Sequence, residues 1–258
     1  MKWPEYLMLI RHDVSVFNIL KTVKNENSIY QKFLEAFEKN PKAHSTKKLA
    51  KLALKIIKLD YGDCETPLAN NGMLALETGR ALKKNFSLPD VVFVSPYKRT
   101  QQTLSKIKEG WSELERVKTY EEERLREQEH GLALLYNDWR ILHALDNHQR
   151  ELFNQEGRYW YRYPQGENVP DVRLRNGSWI ATLIREFSEK KVLVITHHLN
   201  ILAMRANFER LSAEEFVRLD EEEKPVNCGV TLYRGNPNRG KDGKLELDFY
   251  NKKYYSGG

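Results

Sequence analysis

The stretch MLIRHDVSVFN, residues 8–18, decides the fold of this chain. The apolar run over residues 7–10 stops abruptly at Arg11 and His12. A short continuous apolar run of this kind reads as a buried strand. The pattern returns in VLVITHH, where residues 192–195 are apolar and the run ends at Thr196, His197 and His198. A third run, residues 91–94 in DVVFVSP, is β-branched and aromatic, and the helical stretch YKRTQQTLSKIKEG after it carries Arg99 in its first turn. Stretches of helical period separate these strands. Strands alternating with helices predict an α/β fold around a mainly parallel sheet. Such a sheet gathers the carboxyl ends of its strands at one edge, where ligand crevices lie.

The bulk composition narrows the function. A chain of 258 residues can bury one substantial core with a small appendage. Hydrophobic residues make up 40% and charged residues 30%, as in a soluble globular protein with a polar surface. No apolar run approaches the ~20 residues that cross a bilayer, so no membrane partner is expected. The opening MKWPEYLMLIRHD has a short apolar patch without a small-residue cleavage pattern, and the expectation is that it is not a signal peptide. Two separated cysteines, Cys64 and Cys228, fit ordinary thiols in a reducing cytoplasm. The net charge of +6 and pI of about 9.1 raise the question of nucleic acid. However, acidic residues are interspersed and no basic run interleaves with aromatics, so nucleic acid is not expected. Summed positive charge also steers small phosphorylated substrates.

Residues 19–62 read as a helical insertion within a single domain spanning 1–258. SIYQKFLEAFEKNP has apolar residues at helical spacing and ends before Pro41. STKKLAKLALKIIKLD reads as a helix capped by Ser45 or Thr46. Its apolar face would be Leu49, Leu52, Ala53 and Ile56, with Lys47, Lys48, Lys51, Lys55 and Lys58 on the solvated side. Further helices are predicted over residues 69–84, most of 132–156, 169–186 and 199–208, and a hairpin over about 229–250. Residues 119–131 read as a polar loop, and RYWYRYPQGEN as an aromatic, arginine-rich one.

The strand ends bring two arginines and two histidines to one edge. Arginine cannot ligate a metal and repels the cation, so this is a poor metal site. It is a good anion site, because guanidinium groups fork around phosphate oxygens and helix N-termini add N–H donors.

At these residues the chain resembles the histidine phosphatase superfamily, the phosphoglycerate-mutase-like group, in its phosphatase branch. RHDVSVFN resembles the R-H-G-x-S-x-x-N signature, SPYKRTQQT the second arginine segment, ERLREQEHG the acid segment, YPQGENVPDV the G-E-S-x-x-D-V segment, and VLVITHH the strand with the second histidine. The five occur in family order. The resemblance implies a three-layer α/β/α sandwich and a phosphomonoesterase that needs no metal or other cofactor. It implies His12 as the nucleophile that becomes phosphohistidine. Arg11, Arg99 and His197 would hold phosphoryl oxygens, Asn18 would stand at the pocket wall, and Glu127 would donate the proton to the leaving group. Glu127 is preferred to Glu129 because it falls in the RLRE register. Arg162 and Glu167 are candidates for the substrate pocket, as is His198.

The sequence departs from the family pattern at three places. Asp13 stands where glycine is usual, and its carboxylate would repel substrate if it pointed inward. The alternatives are that it points away or supports Arg11 or His12. His198 replaces a second glycine and would narrow the pocket or add a donor. Ala69 stands where a helix-capping threonine is frequent. The competing readings are a phosphoglycerate mutase and a phosphate-binding regulatory module with little turnover. The insertion is expected either to cap the pocket or to form a homodimer contact.

Overall fold

The computed structural model describes residues 1–57 and 60–256; Lys58 of the expected lysine face lies outside them. In chain order the elements are β1 (Tyr6–Arg11), α1 (Val16–Glu26), α2 (Ser28–Lys39), α3 (His44–Ile56), α4 (Met73–Asn85), β2 (Val91–Val94), α5 (Lys98–Gly110) and β3 (Lys118–Glu121). There follow α6 (Trp139–Leu145), α7 (Asn147–Trp160), α8 (Val169–Glu186), β4 (Lys191–Thr196), α9 (His198–Glu209), α10 (Ala213–Glu222), β5 (Val230–Asn236) and β6 (Lys244–Lys252). The described chain forms two compact units, one of Met1–Ser15, Cys64–Glu127 and Asp171–Gly258, the other of Val16–Asp63 and Gln128–Pro170.

The first unit is built on a six-stranded sheet of order β3-β2-β4-β1-β5-β6. The pairs β1–β4, β2–β4 and β2–β3 are parallel, and the hairpin β5–β6 joins antiparallel to β1. Successive side chains of a strand point to opposite faces, and β1 is apolar on both. Met8 and Ile10 pack with Ala75 and Leu82 of α4 and Leu104 and Ile107 of α5. Leu7 and Leu9 pack with Trp179 and Leu183 of α8 and Ile201 and Met204 of α9. Helices thus cover both faces, giving the α/β/α layers. Each fully buried Leu or Ile contributes about 2 kcal/mol through loss of apolar surface to water.

Gly79 lets α4 and α5 meet closely: a Cβ there would stand 2.4 Å from the Ile107 carbonyl oxygen. It is a packing requirement within the helix, which its helix propensity alone counts against. Helix α4 begins at Met73 rather than near Ala69, because Gly72 before it adopts φ +70°, a left-handed conformation outside the helix.

Two elements escape the sequence reading. The start of the 119–131 segment, expected as loop, belongs to the edge strand β3 (Lys118–Glu121), held by parallel pairing to β2. Its side chains are largely exposed, so no apolar alternation marks it. Helix α10 carries a capping box, with Ser212 accepting from Glu215 N–H and Glu215 Oε2 accepting from Ser212 N–H. S-x-x-E before an apolar residue was a legible signal for it.

The second unit is helical. Its core joins Tyr30 and Phe33 of α2, Ala50 and Ala53 of α3, Ile57, and Ile141 and Ala144 of α6. The expected insertion thus begins at Val16 and shares its core with residues of the 128–170 segment. The buried face of α3 is Thr46, Ala50 and Ala53, while Leu52 and Ile56 are exposed. The helix starts at His44 after Ala43, with no side-chain cap. Thr46 instead turns inward and donates to the carbonyls of Asn40 (2.8 Å) and Ala36 (3.2 Å). Asp138 caps α6 and is also buried against Lys24, Nζ–Oδ2 2.5 Å, and the Tyr30 hydroxyl.

Candidate active site

Parallel register sets the site. Arg11 lies opposite Thr196 at the ends of β1 and β4, and Val94 opposite Ile195 at the end of β2. The ladder continues one step further, with His12 N–H donating to the Thr196 carbonyl (2.9 Å) and Ser95 N–H to that of Ile195 (3.1 Å). The residues after three strands therefore stand side by side. His12 and His197 are buried with ring centroids 5.2 Å apart. Tyr97 packs edge-on to His197 at 5.0 Å, and the Arg99 guanidinium lies over the Tyr97 ring at 4.8 Å. A planar cation on an aromatic face holds its orientation.

The imidazole of His12 is fixed in one tautomer. Its Nδ1 lies 2.7 Å from the carbonyl oxygen of Asp13. A carbonyl only accepts, so Nδ1 carries the hydrogen and Nε2 keeps its lone pair. Burial pushes the His12 pKa well below the usual imidazole value, and Arg99 and Arg11 push it the same way. His197 is lowered for the same reasons, burial first, then Arg99 and His12. Both rings are neutral near pH 7. The Ser95 hydroxyl engages His197 Nε2 at 2.8 Å. Arg11 Nη1 donates to the Pro225 carbonyl (2.7 Å). Arg11 Nε and His197 Nδ1 are buried and have no hydrogen-bond partner among the described residues. Buried polar atoms are nearly always partnered, and a gathering of such atoms beside arginines is suited to an oxyanion.

The Asp13 carboxylate points away from this cluster. Its Oδ2 accepts from Ala75 N–H (2.8 Å) in the first turn of α4, and its Oδ1 from Val14 N–H (2.6 Å). It caps the helix that Gly72, without a side chain, cannot cap. The capping oxygen of α4 thus comes from the loop after β1. His198, at the start of α9, sets its Nε2 2.7 Å from Oδ1 of the buried Asp220 on α10.

Glu127 lies where the acid segment meets α9. Its carboxylate accepts from Leu199 N–H at 3.2 Å, beside His197 and His198. Arg11, His12, Arg99, Glu127, His197 and His198 therefore all belong to the first unit. Asn18, Arg162 and Glu167 belong to the second. There Asn18 is a half-buried residue of α1 and Arg162 is exposed. Glu167 accepts from Glu129 N–H through Oε2 (3.0 Å) and donates its own N–H to the Glu129 carbonyl (2.7 Å). Its side chain is engaged in local structure, as is the Glu129 backbone.

Ser95, Tyr97 and Asp220 were not singled out by sequence reasoning, although SPYKRT contains the first two. Their roles come from contacts across the chain that spacing does not show. Among the described residues no group of three or more His, Cys, Asp or Glu side chains could hold a metal ion. Cys64 and Cys228 are both free thiols. Among the same residues no helix is long and apolar enough to cross a membrane.

The sequence pattern of the histidine phosphatase superfamily (branch 1) matches residues 57–241. The chain is 28% identical over 158 residues to the phosphoglycerate mutase-like protein AT74H of Arabidopsis thaliana, covering 57% of this chain and 53% of that one. The related AT74 of the same plant is 30% identical over 176 residues, 61% of this chain and 54% of the other. The matches thus span about half the length of these curated relatives. Among solved structures, a mycobacterial glucosyl-3-phosphoglycerate phosphatase holding inorganic phosphate superposes with a TM-score of 0.62 at 17% identity, over 97% of this chain and 98% of that chain. Phosphoserine phosphatase of Entamoeba histolytica, in complex with 3-phosphoglyceric acid, gives 0.61 at 17% identity over 96% of each chain. These two likenesses show the fold.

Proposed function

Because the chain belongs to the histidine phosphatase superfamily (branch 1), we propose that it hydrolyses small phosphomonoesters through a phosphohistidine at His12, without a metal. The observation that carries this reading is the fixed tautomer of His12. Its Nδ1 is committed to the Asp13 carbonyl, so a neutral Nε2 lone pair stands among two arginines and a second histidine.

A phosphomonoester repels nucleophiles through its own charge. Arg11, Arg99 and the His197 imidazole offset that charge and stabilise the equatorial oxygens as the phosphoryl group moves. His12 Nε2 forms the bond to phosphorus while the bond from phosphorus to the ester oxygen breaks. The leaving oxygen takes the proton of the Glu127 carboxyl. In the second half water attacks phosphorus and the P–N bond breaks. The carboxylate of Glu127 accepts the water proton, which restores the starting state with inorganic phosphate released. The substrate is a small phosphorylated metabolite, and the proposed setting is cytoplasmic.

Inorganic phosphate release from p-nitrophenyl phosphate, sugar phosphates, phospho-acids and nucleotides, measured with EDTA present, tests this. Release that survives EDTA and is lost in His12→Ala is the expected result. No release across pH 5 to 8, or release undiminished in His12→Ala, overturns it. Transfer of the phosphoryl group to an acceptor hydroxyl in place of hydrolysis would identify a mutase.

A further inference from the structure

The segment that carries Glu127 is held by side chains that the proposed reaction does not use. It leaves a single 3-10 turn at Glu123–Leu125, so its carbonyls have no continuing helix or strand to accept from. All four from Arg124 to Glu127 accept from side chains instead. Arg175 of α8 spans the segment, donating through Nη1 to the Arg124 carbonyl (2.6 Å) and through Nη2 to that of Glu127 (2.9 Å). Thr196 donates its hydroxyl to the Leu125 carbonyl (2.6 Å). Asn200 Nδ2 reaches the carbonyls of Arg126 (3.2 Å) and Arg124 (3.3 Å) and the side-chain oxygen of Asn176 (3.0 Å). Asn176 Nδ2 returns a bond to the Asn200 carbonyl (3.2 Å).

We propose that Arg175, supported by the Asn176–Asn200 pair and Thr196, is a positioning residue for Glu127 as the proton donor. The inference rests on the phosphatase reading above. Thr196 and Asn200 flank His197 on the β4–α9 junction, so one rigid junction fixes both the acid segment and a phosphate-binding imidazole. The planar guanidinium matches two carbonyls at once, which the single ammonium of lysine cannot do in the same geometry. A misplacement of about 1 Å costs a catalytic group about a hundredfold in rate. Only a poor leaving group needs the proton. An alkoxide requires it, whereas nitrophenolate leaves without it. Loss of positioning therefore has a signature that loss of charge or of folding does not share.

The experiment compares the wild type, Glu127→Gln, Arg175→Lys and Thr196→Val on p-nitrophenyl phosphate and on an alkyl phosphate such as glycerol phosphate. It reads kcat/KM, which reports only the steps up to departure of the leaving group and leaves out the hydrolysis of phosphohistidine that both esters share and in which Glu127 acts as base, with thermal melts of each variant. The expected result is that Arg175→Lys lowers kcat/KM on the alkyl ester about 10- to 100-fold, within the range of general acid catalysis. The kcat/KM on the nitrophenyl ester should stay within about threefold of wild type. Equal losses of kcat/KM on the two esters, or kcat/KM undiminished on both in Arg175→Lys, overturns the inference. If Arg175→Lys does not fold, Thr196→Val carries the test by the same leaving-group selectivity. A flat response in Glu127→Gln refutes the acid assignment itself and the inference with it. A steep response there beside a flat one in Arg175→Lys refutes only the positioning role.

Discussion

Asp13→Ala separates the structural part of the His12 loop from its chemistry. The carboxylate is buried, 2% exposed, and accepts two backbone N–H bonds, from Val14 at 2.6 Å and Ala75 at 2.8 Å. Alanine keeps the backbone carbonyl that holds His12 Nδ1 and removes both acceptors. Each orphaned buried N–H costs about 1–3 kcal/mol, partly offset because a buried carboxylate no longer has to be desolvated. Loss of a helix cap alone costs about 1 kcal/mol. The net expectation is about 2–3 kcal/mol. At about 2–4 °C per kcal/mol for a chain of this size, Tm falls by about 4–12 °C. Asp13→Asn retains one acceptor oxygen and should lose about half as much. Because the carboxylate faces α4 and not the arginine cluster, kcat/KM on p-nitrophenyl phosphate should stay within about threefold for both variants below their melting range. Calorimetry and initial rates on the same preparations check this. An unchanged Tm with a tenfold change in kcat/KM in either direction would refute the reasoning, since it would place the Asp13 charge in the substrate's field.

Burial holds the His143 imidazole down at about pKa 4, with Arg150 adding to it, and neither ring nitrogen has a hydrogen-bond partner among the described residues. The folded ring stays neutral while the unfolded one takes up a proton below about pH 6.5. The stability from the neutral ring is therefore complete above about pH 6.5 and lost as pH falls towards 4, by about 3 kcal/mol at most. His143→Phe should raise Tm and flatten its decline between pH 7 and 5, read by thermal melts. An undiminished decline would show that other groups cause it. Burial raises the Asp138 carboxyl, but Lys24 and the Tyr30 hydroxyl outweigh that and hold it below the usual carboxylate range. Asp138→Ala leaves Lys24 as an uncompensated buried charge and should cost about 3–5 kcal/mol in urea denaturation. A loss under 1 kcal/mol would mean that Lys24 escapes to water. Gly131 has φ +49°, and a Cβ there would stand 2.2 Å from the Pro164 carbonyl oxygen. Gly131→Ala should lower Tm by more than a surface glycine such as Gly240→Ala, and equal effects would refute that close approach.

The apolar runs at residues 7–10, 91–94 and 192–195 are strands because nothing else buries so short an apolar segment on both faces, and their polar ends follow from the same pattern. Arg11, His12, Arg99 and His197 were legible for that reason: each lies within a few residues of a strand end. Edge strand β3 was not, because its stability lies in backbone pairing and its side chains face water. The apolar face of α3 was misread by one position, since a helical period gives a stripe but its partner decides which edge of the stripe is covered. Local sequence determined the three buried parallel strands and the arginines and histidines near their ends. Only the tertiary structure decided that Asp13 turns away to cap α4, that His198 meets Asp220, and that Arg175, Thr196 and Asn200 grip the carbonyls behind Glu127. Periodicity and short motifs are properties of neighbouring residues. The direction of a polar side chain is set by which distant donor or acceptor the packed chain brings within about 3 Å of it.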